Sequence, residues 1–173
     1  MVVPIGIRRC RTDDLNGLEW LGAFREHRDI IQRTFAAQRR GEGAMLIAES
    51  QAYPAGQIWI DLRKKRRQSV GILWALRVWP GFQRLGIGRR LIRAAESVVA
   101  EAGLLAAELG VDQGREPVRA LYERLGYAYV GDEIDRYDYR APGGDVVHVE
   151  HHLWLLRRRL PDRSLGRAVV AEA

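Results

Sequence analysis

The segment that most constrains the fold of this chain is FQRLGIGRR, residues 82–90, in which two glycines lie one residue apart within a cationic run. Residues 69–79 before it have the pattern of a long strand ended by Pro80, and a helical pattern follows it. A loop leading from a strand into a helix leaves several backbone N–H groups without intrahelical partners, and these attract anions. Because glycine has no Cβ, a phosphate can approach such a backbone closely. On these residues alone, a phosphate-binding loop and a plain tight turn are equally supported.

The length and composition indicate an ordinary globular domain. The chain has 173 residues, 47% of them hydrophobic and 29% charged, which suggests one domain with a sizeable core. No apolar run is long enough to span a bilayer, and the N-terminus lacks the regions of a signal peptide. Cys10 is the only cysteine, so no intramolecular disulfide can form. We therefore expect a cytoplasmic protein without a membrane partner.

The net positive charge favours an anionic ligand but does not identify which one. There are 28 basic and 22 acidic residues, giving a net charge of +6. The most basic run, RKKRRQ at residues 63–68, has the composition of a solvated hairpin turn between strands. A nucleic-acid surface would need interleaved aromatic residues and a second basic stripe, and neither is evident. We expect no nucleic-acid partner.

The periodicity of the apolar residues predicts an α/β fold. A helix is expected after Thr12, with apolar residues from Leu15 to Phe24, and a weaker one at about 28–40. The helix after the glycine loop should bury Leu91, Ile92, Ala95, Val98, Val99 and Ala102 and end near Gly103. A short helix is expected to start at Pro117. Strands are expected at residues 5–9, 44–50, 56–62, 69–79, 104–111, 127–130 and 146–156.

This order, β-α-α-β-β-β-α-β-α-β-β, favours a mixed sheet, because the strands between residues 44 and 79 form a meander. A doubly wound dinucleotide-binding fold would require strict alternation of strand and helix from the start. The glycine loop is therefore poor support for a Rossmann fold.

A longer stretch around the loop, LRVWPGFQRLGIGRRLI at residues 76–92, resembles the central motif of the GNAT superfamily of N-acetyltransferases. That motif is a strand ending in L-x-V-x-P, then Q/R-x-x-G-x-G/A, then a helix. A second stretch, LGVDQGREPVRALYERLGY at residues 109–127, is similar to the later strand–turn–helix motif of the family. The matching positions of the first motif are Leu76, Val78, Pro80, Gln83, Gly86 and Gly88.

The resemblance implies a fold and a domain layout. Residues 1–160 would form one GNAT-like domain, with a mixed, mostly antiparallel central sheet flanked by helices and splayed beside the first motif. The acyl group lies in that opening in the family. Trp79 either shapes this channel or is a simple packing residue. Residues 161–173 would form a C-terminal tail that is disordered or packs peripherally.

The resemblance also implies acetyl-CoA as the cosubstrate. Its pantetheine arm would pair with the strand backbone, as an added strand does, and its pyrophosphate would lie on the loop N–H groups. Arg115 stands where the family often has an asparagine that helps to fix the cofactor, and an arginine there could reach a CoA phosphate or the pantetheine. The cofactor-binding residues expected on this basis are Leu76, Arg77, Val78, Gln83, Arg84, Leu85, Gly86, Ile87, Gly88, Arg89 and Arg115.

The catalytic residue implied by the resemblance is Tyr122, which falls where the family commonly places the general acid for the CoA thiolate. The alternative is that Tyr122 is only the aromatic residue of an amphipathic helix. The thioester carbonyl would be polarised by a backbone N–H at the end of the strand, that of Val78. The acceptor amine would attack the thioester directly.

The general base is unassigned, because Gly110 stands where some family members carry a glutamate. Glu108 and Asp112 lie on the same side of that strand and are candidates. A water chain, or an amine that arrives neutral, would need no base.

The late strand segment HVEHHLWLL, residues 148–156, places His148, Glu150, His152 and Trp154 on one face and His151 on the other. The two histidines could suggest a metal, but polar residues on a half-exposed strand are favoured, and we predict no metal site. A role in lining the acceptor cleft is more plausible, and Tyr137 and Tyr139 could contribute to it.

Three functions are compatible with these patterns. The first is an N-acetyltransferase that acts on a small-molecule or protein amine, and a homodimer is compatible with it. The second is a non-catalytic acyl-CoA-binding module of the same fold, suggested by the departures at residues 110 and 115. The third is a nucleic-acid-binding protein, suggested by net charge alone. We rank them in that order.

Overall fold

A computed structural model describes residues 4–162 as a seven-stranded sheet with three α-helices. The elements, named in chain order, are β1 Gly6–Arg9, α1 Arg28–Arg39, β2 Gly43–Ser50, β3 Tyr53–Asp61, β4 Val70–Val78, α2 Ile87–Glu101, β5 Ala106–Asp112, α3 Glu116–Arg124, β6 Ala128–Arg140 and β7 Val146–Arg159.

The strands form one sheet in the order β1-β2-β3-β4-β5-β7-β6. All neighbouring strands are antiparallel except β4 and β5, which are parallel. The predicted α/β class, with a mixed and mostly antiparallel sheet flanked by helices, is confirmed.

The sheet opens between β4 and β5. Their pairing covers only the registers from Val70↔Ala106 to Ile72↔Glu108, although both strands continue beyond them. A β-bulge lies just past this point, because the β3–β4 register shifts from Trp59↔Trp74 to Gln57↔Arg77. The extra residue is accommodated at Ala75, whose φ is +51°. A bulge bends its strand, so the second half of β4 turns away from β5, as the resemblance implied.

Helix α2 packs on one face of the sheet with the apolar side that its periodicity predicted. Leu91, Ile92, Ala95 and Val99 are buried there among side chains of the central strands. Gly103 follows the helix with a φ of +77°, in agreement with a helix-terminating glycine.

The opposite face is covered by α1 and by the segment that precedes it. The helix expected between Thr12 and Phe24 is wrong, since the structure has short 3₁₀ turns at Thr12–Asp14, Gly17–Glu19 and Arg25–His27. Trp20 and Leu21 both have positive φ, at 43° and 56°, and this interrupts any helix. Leu18 and Trp20 are nevertheless buried, so burial in the core determines the path of this segment rather than helix propensity.

The last two strands form a hairpin much longer than expected. The sequence pattern predicted a strand only at residues 127–130, whereas β6 reaches Arg140 and pairs with β7 along its whole length. The end of the hairpin contacts α1, where Arg33 Nη2 donates to the Asp138 carbonyl over 2.9 Å and the Arg140 N–H donates to Asp29 over 3.2 Å. The hairpin and α1 therefore enclose the sheet face between them.

Most of the predicted C-terminal tail, residues 163–173, lies outside the described residues. Within residues 4–162, no helix combines the length and the apolar character needed to cross a membrane.

Candidate active site

A cavity of about 270 Å³ lies where β4 and β5 separate. Its walls come from both strands, from the core side of α2, and from the start and middle of α3. Arg115 and Tyr122 of the second motif line it together with Leu76 of the first motif. Its lining is completed by Ile58, Leu73, Trp74, Ala75, Ile92, Leu109, Gly110, Val111, Asp112 and Val118.

Tyr122 contributes the phenol of this cavity. It lies on the inner side of α3 and packs edge-on against Tyr127, with ring centroids 6.0 Å apart. Burial raises the pKa of Tyr122, and the nearby positive charge of Arg115 only partly opposes that shift. The hydroxyl is therefore protonated at neutral pH and can act as a proton donor to a group in the cavity.

Arg115 brings a positive charge to the same cavity. It immediately precedes α3, and its backbone N–H donates to the Asp112 carbonyl over 3.1 Å. This turn connects the end of β5 to α3 and places Asp112 and Arg115 at the opening.

The edge of β4 that faces the opening can pair with an extended ligand. The Trp79 N–H donates to Ala55 in β3 over 2.9 Å. Because backbone groups alternate sides along a strand, the N–H and C=O of Val78 point away from β3 and toward the opening. The Val78 carbonyl accepts a hydrogen bond from Gln83 Nε2 over 3.0 Å. The Gln83 side chain thus joins the glycine loop to this edge.

The glycine loop leads directly into α2. Gly86 precedes the helix with a φ of +75°, and no atom lies within 4 Å of where its Cβ would be. A Cβ added at Gly88 would have Val78 Cγ2 as its nearest atom, at 3.9 Å. Ile87 is buried and anchors the turn, whereas Arg84 and Arg89 are exposed and form no ion pair among residues 4–162. Open backbone, two available arginines and a 15-residue helix fit a diphosphate.

Two neighbouring side chains point away from this edge. The Arg77 guanidinium lies 4.0 Å from the centroid of the Phe24 ring and donates to His27 Nδ1 over 3.3 Å, and burial lowers its pKa. Only the backbone of Arg77 follows the predicted cofactor edge. Trp79 packs against Trp20 and Tyr53, with centroids 5.3 and 6.4 Å away, so its role is packing.

A larger cleft of about 530 Å³ lies on the other face of the opening, between α1 and the β6–β7 hairpin. Its lining is largely apolar, with Ile30, Trp74 and Leu153 among the residues. Several of its charged residues are paired with one another, since Lys64 contacts Glu133 and Asp135 over 3.2 and 3.4 Å. Of the two tyrosines considered for this role, Tyr137 lines the cleft, whereas Tyr139 packs against His27, with ring centroids 5.5 Å apart.

The prediction that the β7 face with His148 and His152 borders the cleft is wrong. His148 and His152 point to solvent, where they contact Asp138 over 2.6 Å and Glu150 over 2.9 Å. Leu153 and Leu155, on the opposite face of β7, line the cleft instead. The described part of the chain holds no cluster of three or more potential metal ligands.

The two carboxylates considered as bases differ in their surroundings. Glu108 is 1% exposed and is held by Lys65 and by Arg157, whose Nε and Nη2 donate to Oε2 over 2.9 and 2.6 Å. This side chain lines the large cleft but belongs to a buried ion cluster in which both carboxylate oxygens are already paired. Asp112 is far more exposed and accepts a hydrogen bond from His151 Nδ1 over 2.8 Å.

The contact between Asp112 and His151 was missed by sequence reasoning. The alternation of β7 placed His151 on the face of Leu153, but the register of β7 against β5 had no local signal. The long antiparallel pairing of β5 with β7 could have been inferred only if β7 had been predicted to extend past residue 156, to Arg159.

Comparison with known proteins agrees with this fold. The family model described as the acetyltransferase (GNAT) family matches residues 11–127. A mycothiol acetyltransferase of Propionibacterium freudenreichii subsp. shermanii is 29% identical over 161 residues, which is 86% of this chain and 50% of that protein. The chain thus spans half the length of this curated relative.

Solved structures share the fold. The ribosomal-protein-S18-alanine N-acetyltransferase of Escherichia coli matches with a TM-score of 0.64 and 20% identity, over 90% of this chain and 94% of that one. The PaiA N-acetyltransferase of Thermoplasma acidophilum, in complex with coenzyme A, matches with a TM-score of 0.65 and 16% identity, over 91% and 99% of the two chains.

Proposed function

Because the chain belongs to the GNAT family of acetyltransferases, we propose that it transfers an acetyl group from acetyl-CoA to a primary amine by direct attack of the amine nitrogen. The observation that carries this proposal is the cavity between β4 and β5, where Tyr122, Arg115 and the free edge of β4 converge. This arrangement offers a proton donor, a positive charge and a backbone edge around one small space.

Acetyltransferases of this family take their acetyl group from acetyl-CoA, which agrees with the cosubstrate predicted from the sequence. Here the pantetheine would run along the backbone of Leu76, Arg77 and Val78. The N–H and C=O groups of Val78 would face it. The pyrophosphate would lie on the backbone between Arg84 and Arg89, with these two side chains as counter-ions. The open space at both glycines supports this placement.

The chemistry would then be divided between the backbone and one side chain. The Val78 N–H would polarise the thioester carbonyl, and charge that develops on its oxygen would be stabilised there. Tyr122 would donate its proton to the departing CoA sulfur, which is consistent with its buried, protonated hydroxyl. The amine would enter from the large cleft between α1 and the β6–β7 hairpin.

The proposal is tested by incubating the purified chain with acetyl-CoA and a panel of acceptors. The panel contains small amines, amino acids and a peptide with an N-terminal alanine, because the relatives act on both small molecules and a protein, according to their names. Acetylated product is detected by mass spectrometry and free CoA by a thiol reagent. Absence of acetylated product from every acceptor, at saturating acetyl-CoA, would refute acetyl transfer.

A second candidate is a non-catalytic acyl-CoA-binding module. It is favoured by Gly110 and Arg115, which depart from the family's catalytic and cofactor-binding pattern. Calorimetry would then show tight CoA binding while no acceptor is acetylated. The same protein run on a sizing column with light scattering would show whether it forms the expected homodimer.

A further inference from the structure

Two strands that meet only in the folded sheet bring Asp112 and His151 together at the edge of the small cavity. Asp112 ends β5 and lines the small cavity that also contains Tyr122. His151 lies on β7, and its ring stacks on Tyr137, with centroids 5.9 Å apart and an interplanar angle of 19°. Tyr137 in turn lines the large cleft. The Asp112–His151 pair therefore links a residue that lines the small cavity to a residue that lines the large cleft, while His151 itself lines neither.

The hydrogen bond between the pair determines which imidazole nitrogen is available. Asp112 Oδ1 is an acceptor, so Nδ1 of His151 carries the proton of their 2.8 Å hydrogen bond. In the neutral ring the proton-free nitrogen is then Nε2, which has a lone pair to offer. Nε2 contacts no hydrogen-bonding partner among residues 4–162, and the side chain is 39% exposed. A polar group of an acceptor can reach it.

The groups around the imidazole leave Nε2 of His151 available to a ligand. Asp112 faces it from β5, and Asp135 and Tyr137 face it from β6, where Asp135 lies directly opposite in the ladder. Asp135 is paired with Lys64 over 3.4 Å, and burial raises the pKa of Tyr137 so that it stays neutral. On its own strand the nearest neighbours on the same face are Val149 and Leu153. Asp112 is thus the carboxylate in direct contact with the ring.

The same face explains why residue 110 cannot supply the base. A side chain at Gly110 would meet Leu153 Cδ1 at 2.7 Å, so Leu153 fills the space that a carboxylate there would need. Asp112 is the next residue of β5 on this face, about 6.6 Å further along the strand. At this end of the strand β7 presents a histidine beside Asp112.

We propose that His151, oriented by Asp112, is the general base that removes a proton from the acceptor ammonium. This inference rests on the proposed acetyl transfer. His151 Nε2 takes one proton from the ammonium and later releases it to solvent. The neutral nitrogen then forms its bond to the carbonyl carbon as the carbon–sulfur bond breaks. Tyr122 protonates the sulfur, and the second proton lost by the nitrogen replaces the one lost by Tyr122 through solvent.

The test compares two histidines of β7, each of which is hydrogen-bonded to an aspartate of a neighbouring strand. His151→Gln removes the proposed base, and Asp112→Asn removes its orienting carboxylate. His148→Gln is the matched control, because His148 Nδ1 makes the same kind of contact with Asp138, over 2.6 Å, on the solvent face. For each variant, kcat/KM for an acetylated amine is measured from pH 6 to the pKa of that amine, together with KM for acetyl-CoA.

We expect His151→Gln to lower kcat/KM at neutral pH about 100-fold, with the deficit shrinking as the amine becomes neutral in solution. Asp112→Asn should lose about tenfold, and His148→Gln should match wild type. KM for acetyl-CoA should change less than twofold throughout. The inference is overturned if His151→Gln behaves like His148→Gln, or if its deficit is equal at every pH. Wild type without turnover would instead refute acetyl transfer itself.

Discussion

The hydroxyl of Tyr127 donates a hydrogen bond to Glu96 Oε1 over 2.9 Å inside the protein, which joins the start of β6 to helix α2. Arg158 of β7 donates from Nη1 to both oxygens of the same carboxylate, over 2.8 and 2.7 Å. Tyr127 is 2% and Glu96 7% exposed, and burial together with this anion raises the pKa of Tyr127. Glu96 of α2 therefore joins the aromatic residue that closes the second motif to β7.

Glu96→Ala should be strongly destabilising, because it leaves the Arg158 guanidinium and the Tyr127 hydroxyl without their buried partner. We expect the free energy of unfolding to fall by about 3–5 kcal/mol, as measured by urea denaturation. Tyr127→Phe, which keeps the ion pair, should cost about 1 kcal/mol. Glu123→Ala, which removes a more exposed pair with Arg119, is the control and should cost at most about 1 kcal/mol. Equal losses for the two glutamates would show that burial of this cluster does not matter.

Cys10 should be inert in the folded protein. It is 4% exposed, and burial raises the pKa of its thiol to about 12 from 9.0. We expect a thiol reagent to label it only after unfolding in urea. Because the folded pKa is raised, its contribution to stability is present below pH 9 and is lost as the pH rises toward 12. Urea unfolding of Cys10→Ala should therefore depend less steeply on pH in that range, and rapid labelling of native protein would contradict the assignment.

The parts of the site that neighbouring residues form were predicted from local sequence patterns. The alternation of β4, the glycines after it and the helical spacing of α2 are all read within about 25 consecutive residues, and the structure reproduces them. Gly86 adopts a positive φ of +75° at the turn where the glycine was expected to leave the backbone open. The positions of the strand and the loop were therefore predictable from neighbouring residues, whereas their assignment to a cofactor rested on the resemblance.

Features that depend on distant partners were not predictable in this way. Trp20 takes its left-handed conformation where it packs against Phe24 and Trp79, and nothing near residue 20 in the sequence signals those contacts. The length of β6 was underestimated because charged residues and tyrosines fill it, and neither of its faces is continuously apolar. The proximity of Asp112 and His151 likewise follows from the β5–β7 register alone.

Gly88→Ala should separate the needs of the fold from those of the cofactor. A Cβ there would meet no atom closer than 3.9 Å, and alanine is the better helix former, so the free energy of unfolding should be unchanged or higher. The same methyl group would project from the backbone that we assign to the pyrophosphate. We expect calorimetry to show CoA affinity reduced about tenfold, or about 1.4 kcal/mol.

The control for this variant is Gly6→Ala, at a position on β1 that also has open space for a Cβ. It should leave CoA affinity unchanged. If Gly88→Ala binds CoA as wild type does, the pyrophosphate does not lie against this turn of the loop.

Tyr122→Phe should reduce turnover without weakening cofactor binding. The ring would still fill its place beside Tyr127, so we expect the stability and the KM for acetyl-CoA to change little, while kcat falls about 100-fold through loss of the proton donor. Because burial raises the Tyr122 pKa above its ordinary value of 10.0, the donor form persists through the neutral range, and wild type should keep this contribution up to at least pH 10. Tyr129→Phe, at an exposed hydroxyl bonded to Asp132 over 3.1 Å, is the control and should be fully active. Steady-state kinetics that gave the same kcat for both variants would remove Tyr122 from the proton transfer and leave the CoA thiolate to depart unprotonated.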